Sequence, residues 1–165
     1  MSEHLYLIAL GSNQRLPLFG GPERVLEQAV AALETAQVDV FAVSPTMRSA
    51  PIGPSRRCYA NAAAILSTDL SPPELLTMLQ SVEAHFGRIR RGQGWQARTL
   101  DLDILLWSGG IWSSDDPALA IPHYAMRKRG FVLGPATAIA ADWRDPVSNL
   151  SIRQIFHRLK RTNPL

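Results

Sequence analysis

The ten residues RTLDLDILLW, Arg98 to Trp107, constrain this chain more than any other stretch. Their leucines, Ile104 and Trp107 read as a β-strand, yet two aspartates, which strands disfavour, lie inside it. Side chains alternate across a strand, so Thr99, Asp101, Asp103 and Leu105 are predicted on one face and Leu100, Leu102, Ile104 and Leu106 on the other. The leucine face is core. The carboxylates then lie side by side, about 7 Å apart at the backbone, where they repel each other unless something positive lies between or above them. Alone, the stretch fits a sheet face turned to water as well as a site.

The elements around it narrow the choice. LYLIAL, Leu5 to Leu10, is an apolar run closed by Gly11-Ser12-Asn13, a buried strand ending in a turn. Pro22 suits a first helical position, and Val25, Leu26, Ala29, Val30 and Leu33 recur at helical spacing to about Ala36. Val38 to Ser44 alternates as a second strand, extended here to Arg48. The loop APIGPSRR follows, stiffened by Pro51 and Pro54 and turned at Gly53. Cys58 to Thr68 is a third strand despite its alanines, because Ile65, Leu66 and Thr68 and the neighbouring turn signals favour one. Ser71, Pro72 and Glu74 form an S-x-x-E capping box that opens a helix with a stripe of Leu75, Leu76, Leu79, Val82 and Phe86. The order through Trp107 is βαββαβ, the split βαβ or ferredoxin-like motif of an α+β fold. After it come a Ser-Gly-Gly turn, a proline-containing stretch and two helices, around Phe131 to Ala140 and Ser151 to Lys160.

A length of 165 residues with 46% hydrophobic and 19% charged side chains suits one domain, residues 1–165, that buries about 70% of its unfolded surface. The longest apolar runs are too short for a bilayer, and MSEHLYLIALGSN has no secretory n-region or cleavage site, so a cytoplasmic protein is expected. The lone Cys58 excludes an internal disulfide and a multi-cysteine zinc site. A net charge of +3 supports an anionic ligand more than extensive nucleic-acid binding.

Four groups carry chemistry. Arg88, Arg90, Arg91 and Arg98 alternate with Gly87, Gly92, Gly94 and Trp95 in a loop suited to bidentate phosphate contacts and to stacking of a heterocyclic base. Asp101 and Asp103 follow at once, and magnesium is commonly held by one or two carboxylates plus substrate phosphates. Neither a G-x-x-x-x-G-K-[ST] loop nor G-x-G-x-x-G is present. IPHYAMRKRGF offers His123, Tyr124, Arg127, Lys128, Arg129 and Phe131; read alone, His123 favours a surface position and the basic triplet a solvated run. In the APIGP loop and after it, Tyr59 and Asn61 are suited to gripping a small ring.

Together these groups resemble the hydroxymethyldihydropterin pyrophosphokinase family. The match covers IALGSN, APIGP then Y-x-N, Q-x-x-E-x-x-x-G-R-x-R, W-x-x-R-T-L-D-L-D-I-L-L, P-H-Y-x-M-x-x-R-G-F and the closing P-x-x-x-I-A. The resemblance implies a ferredoxin-like core with additional C-terminal helices in an α/β/α sandwich. It also implies transfer of a diphosphoryl group from ATP to 6-hydroxymethyl-7,8-dihydropterin in folate biosynthesis, with two Mg²⁺ ions on Asp101 and Asp103. By resemblance Arg88, Arg98, Asp101 and Asp103 are catalytic. ATP contacts are implied for Gln80, Glu83, Arg90, Trp95, Arg98, Ile104, His123, Tyr124 and Arg129, and pterin contacts for Ser49, Ala50, Ile52, Tyr59, Asn61, Trp95, Asp101 and Phe131. The implied partners are these two small molecules, with neither nucleic acid nor membrane, bound by a monomer. Gly94, Gln96 and Ala97 depart from the family pattern in the arginine loop, as do Ala118 and Ala120 where some members carry polar nucleotide contacts. Two rival readings are an RNA-recognition module, whose aromatic K/R-G-F/Y-type strand is absent here, and a diverged relative that binds without transfer.

Overall fold

The computed structural model describes residues 3–14, 20–49, 59–87 and 99–163. Strand β1 (His4–Ser12) runs through the middle of the sheet, and Tyr6 to Leu10 are buried on both faces. It pairs antiparallel with β4 (Tyr59–Thr68) on one side and β5 (Asp101–Trp107) on the other. Strand β4 in turn carries β2 (Asp39–Val43) and β3 (Met47–Ser49), so the order is β2-β4-β1-β5 with β3 beside β4. Helix α1 (Pro22–Glu34) lies between β1 and β2 in the chain, and α2 (Pro72–His85) between β4 and β5. Both pack on one face, where Val25, Leu26, Leu75 and Leu79 meet Ile8, Leu10, Leu66 and Leu102. Helices α3 (Gly130–Ala140) and α4 (Ile152–Thr162) cover the other through Leu133, Ala136, Ile152 and Ile155 against Leu7, Ala63 and Leu105. The expected ferredoxin-like α+β core, in three layers, is the fold adopted. Because α3 and α4 cover the second face, it offers no open sheet of the kind on which an RNA-recognition module stacks bases.

Local chemistry explains the elements. Pro22 opens α1 where a missing N–H has no consequence. At α2 the Glu74 carboxylate accepts the Ser71 N–H at 2.8 Å and its hydroxyl at 2.7 Å, and these bonds lower the Glu74 pKa. The alanines of β4, poor strand formers in isolation, suit a strand overlaid by α1 on one face and α3 on the other, where small side chains let helices close in.

Three expectations change. The strand expected from Val38 to Arg48 is broken at Ser44–Thr46, since Pro45 has no N–H to give the ladder. Ser44 bridges the gap: its N–H donates to the Ala63 carbonyl and its Oγ accepts the Ala63 N–H, both at 2.9 Å. In β5 the register with β1 slips, so that Leu7 faces Leu106 while Ile8 faces Ile104. Leu105 is the extra residue of a bulge, and it and Leu106 both pack beneath α3 and α4. The expected alternation therefore holds through Ile104 and fails at Leu106. Finally, the proline-containing stretch is a hairpin, β6 (Trp112–Asp115) and β7 (Ala118–Ile121), turned at Asp116-Pro117. Ala118 and Ala120 lie on β7, exposed.

Candidate active site

The pairing of three strands assembles a recess at one end of the sheet. Gly11 of β1 faces Asn61 of β4 and Asp101 of β5, and Ala9 faces Asp103. Glycine at 11 carries no side chain where its neighbours bring polar ones, and a Cβ there would rest 3.6 Å from Asn61 Oδ1. The floor thus includes Ala9, Gly11, Asn61, Asp101 and Asp103, and Tyr59, Arg129, Phe131 and Val132 line it further. The start of β5 is tied down by Ser12, whose hydroxyl donates to the Thr99 carbonyl at 2.5 Å.

Burial and hydrogen bonding assign each side chain a place. Asn61 is 5% exposed and its Nδ2 donates to Ser49 Oγ at 2.8 Å, which orients the amide with Oδ1 beside Gly11. Phe131 lies in the first turn of α3, with the Arg129 guanidinium carbon 5.8 Å from its ring centre. His123 Nε2 is 3.8 Å from Asp103 Oδ1. Its Nδ1 accepts the Ala125 N–H at 3.2 Å, which places the ring proton of the neutral form on Nε2. Burial first and Arg129 second lower the His123 pKa, against the opposing pull of Asp101, so the imidazole is neutral at pH 7. Its backbone N–H donates to the Leu105 carbonyl at 3.0 Å, which fixes the turn to β5.

The other expected nucleotide contacts divide. Tyr124 stacks on His123, ring centres 4.8 Å apart, and is 77% exposed. Gln80 is half-buried on α2. Glu83 is 3% exposed and its Oε1 accepts the Leu102 N–H at 2.8 Å, from the residue between the two aspartates. Ile104 sends its side chain into the core beneath α1 and α2, opposite the carboxylates, so a ligand at the β5 edge meets its backbone. Arg88, Arg90, Trp95, Arg98, Ala50 and Ile52 lie outside the described residues, as do Gly94, Gln96 and Ala97. Sequence reasoning missed Gly11, Ala9 and Val132 as lining; IALGSN contained two of them, and no local signal distinguishes a floor residue from an ordinary strand position.

The donor set fits a magnesium ion shared with phosphates. Asp101 and Asp103 are hard oxygen donors on one face of a paired strand, both partly accessible. Among the described residues no group of three or more His, Cys, Asp or Glu could hold a metal by itself. Two carboxylates with the remaining positions left to water and substrate oxygen is how Mg²⁺ is usually bound.

Known proteins point the same way. The family model for 7,8-dihydro-6-hydroxymethylpterin-pyrophosphokinase (HPPK) matches residues 7–141. A Synechocystis protein named 2-amino-4-hydroxy-6-hydroxymethyldihydropteridine pyrophosphokinase is 41% identical over 160 residues, spanning 96% of this chain and 78% of its own. The proteins of that name from Pseudomonas aeruginosa and Haemophilus influenzae are 40% identical over 148 residues and 37% over 162, covering 88% and 95% of this chain and 86% and 97% of theirs. The crystal structure of wild-type Plasmodium falciparum HPPK-DHPS with pteroate superposes with a TM-score of 0.73 at 12% identity, over 99% of this chain and 44% of that one, a likeness of fold. The recess built on Gly11, Asn61 and the aspartate pair, the matching family model and these relatives agree: the chain belongs to the HPPK family.

Proposed function

We propose that this chain transfers the diphosphoryl group of ATP to the hydroxymethyl oxygen of 6-hydroxymethyl-7,8-dihydropterin, giving the pterin diphosphate and AMP, a step of folate biosynthesis. It is an ATP-dependent diphosphotransferase. The observation that carries the reading is the meeting of a recess lined by Tyr59, Asn61 and Phe131 with two carboxylates on one strand face.

Asp101 and Asp103 would hold Mg²⁺, two ions in the fullest form of this reading. Magnesium held there would supply positive charge to the ATP phosphates and so favour attack of the pterin oxygen on the β-phosphorus. The chain's own groups do the rest. Tyr59 and Phe131 offer aromatic surface to a flat ring, and Asn61 Oδ1, held by the Ser49 bond, accepts from its N–H edge. The neutral His123 turns its Nε2–H toward the Asp103 side, where it donates to a phosphate oxygen without adding a charge. Arg129 supplies a cation above the floor, and Arg88, Arg90 and Arg98 supply further grip with Trp95 on the base. Gln80 and the Ile104 backbone face the nucleotide, while Glu83 holds the strand between the aspartates. Ala50 and Ile52 complete the pterin side.

The chain works as a single domain and a monomer in the cytoplasm, on small molecules and on neither nucleic acid nor membrane. Supporting this, both C-terminal helices share the core of the sheet, and no described helix is long and apolar enough to cross a bilayer. The test is direct: the purified protein with ATP, Mg²⁺ and hydroxymethyldihydropterin yields AMP and pterin diphosphate in equal amounts. Asp101→Asn and Asp103→Asn each lower the rate by at least about 10²-fold, the size of loss expected for one preorganised electrostatic group, with circular dichroism unchanged. Absence of AMP from the parent protein refutes the function; an unimpaired variant refutes the metal assignment.

A further inference from the structure

Between His123 and Arg129 the chain makes a 3₁₀ turn, Met126–Lys128, and Arg127 at its centre leaves the recess and reaches the connection between α3 and α4. Its Nε and Nη2 donate to Asp145 Oδ2 and Oδ1 at 2.5 and 2.8 Å, a bidentate fork. Asp145 is fully buried and also accepts the Val147 N–H at 2.9 Å and the Ser148 hydroxyl at 2.8 Å. Its own backbone is closed into the connection, its N–H donating to the Leu150 carbonyl and its carbonyl accepting from Asn149, at 2.9 and 2.8 Å. The carboxylate is thus a fixed post.

The turn by itself is weakly held. Its backbone bonds, Met126 to His123, Lys128 to Ala125 and Arg129 to Met126, are 3.1 to 3.3 Å long, and 3₁₀ geometry is intrinsically poor. Its ends are tied by the His123 N–H to the Leu105 carbonyl and by the Arg129 carbonyl to the first N–H groups of α3, and its middle is held by the buried Met126 side chain and the Arg127 fork. We infer that Arg127 and Asp145 are positioning residues, which lock the turn against the α3–α4 connection and so set His123 beside Asp103 and Arg129 over the floor of the recess. This rests on the reading of His123 and Arg129 as nucleotide-facing groups. Stability alone is a weak reason for the pair, since a buried ion pair is often matched by apolar residues of similar volume. A fork of defined direction sets geometry in a way that an apolar contact does not.

The test compares Arg127→Met, Arg127→Lys and the double variant Arg127→Met/Asp145→Leu with the parent protein. The double variant leaves no uncompensated buried charge, and the lysine variant keeps a cation beside Asp145, which guards against loss of the fold. Calorimetry with the magnesium complex of a non-hydrolysable ATP analogue reads nucleotide binding without turnover, and steady-state kinetics read both substrates. Arg127→Met and the double variant weaken nucleotide binding and raise the KM for ATP by about tenfold while the pterin KM moves less than about twofold, with lysine between. In a His123→Ala/Arg129→Ala background, Arg127→Met adds less than about twofold, because it acts through those two side chains. A folded double variant with parental nucleotide affinity overturns the inference. So do equal losses for both substrates that follow the melting temperature, or full additivity with His123→Ala/Arg129→Ala. Should the parent form no AMP, the proposed reaction fails, and the nucleotide titration still decides the positioning role.

Discussion

The Asp145 carboxylate makes the stability of this protein depend on acid in a way that can be calculated. Burial alone raises its pKa, but the Arg127 fork, the Val147 N–H and the Ser148 hydroxyl outweigh that and bring it from the ordinary 3.8 to about 2. The folded state holds the carboxylate charged while the unfolded chain takes up a proton first. Its stabilisation is therefore fully present above about pH 5 and is lost as the pH falls from about 4 through about 2. A shift of this size corresponds to about 2 kcal/mol, of which about half is gone by about pH 3. The carboxylate is shielded, but the Arg127 side chain that faces it is 33% exposed, so solvent screening makes about 2 kcal/mol an upper figure. Urea unfolding followed by tryptophan fluorescence, at several pH values between about 5 and 2.5, measures the effect against the Arg127→Met/Asp145→Leu variant, which lacks the titrating group. The parent loses about 1 kcal/mol more than the variant between about pH 5 and pH 3. Parallel stability profiles would show that the carboxylate is not held as described and would refute the reasoning.

Other expectations test neighbouring parts of the structure. Asn61→Ala raises the pterin KM by about 10- to 100-fold, the range for an unmade buried hydrogen bond, and leaves nucleotide affinity unchanged; parental pterin kinetics would remove Asn61 from the recess. Glu83→Leu strands the Leu102 N–H and lowers stability by about 1 to 3 kcal/mol, whereas Glu83→Gln keeps an acceptor and loses less; denaturant midpoints separate the two. Gly109→Ala would put a Cβ 2.2 Å from Cζ2 of Trp107, whose ring is stacked on Tyr6 and edge-on to Trp112. Overpacking there lowers stability by about 1 to 3 kcal/mol, or several degrees in melting temperature, and near-ultraviolet circular dichroism shows the disturbed tryptophans.

How much of this was legible differs from element to element. The capping box at Ser71 and Glu74 and the helical stripe behind it are local, so the sequence displays them and the fold repeats them. The break in the second strand was also written, since Pro45 cannot donate, yet only the pairing of Ser44 with Ala63 shows that the chain continues along the same neighbour. The bulge at Leu105 had no local sign. It answers a tertiary demand, with Leu105 and Leu106 beneath α3 and α4 and Trp107 turned back to Tyr6 and Trp112. The hairpin of β6 and β7 escaped notice because strands of four residues are too short to show a period.

At the recess the division is sharper. Strand alternation is a property of the covalent chain, so Asp101 and Asp103 share a face whatever surrounds them, and the sequence alone determined that two carboxylates stand side by side. Which groups meet them is a matter of long-range pairing. Register brings Gly11 and Asn61 to Asp101, and the Leu105 carbonyl brings His123 to Asp103. Arg127, one of three consecutive basic residues, is singled out only because Asp145, eighteen positions away, is buried within reach. The sequence decides which residues have the chemistry; burial, register and the geometry of the fork decide which of them use it, because those depend on neighbours that the chain supplies only once folded.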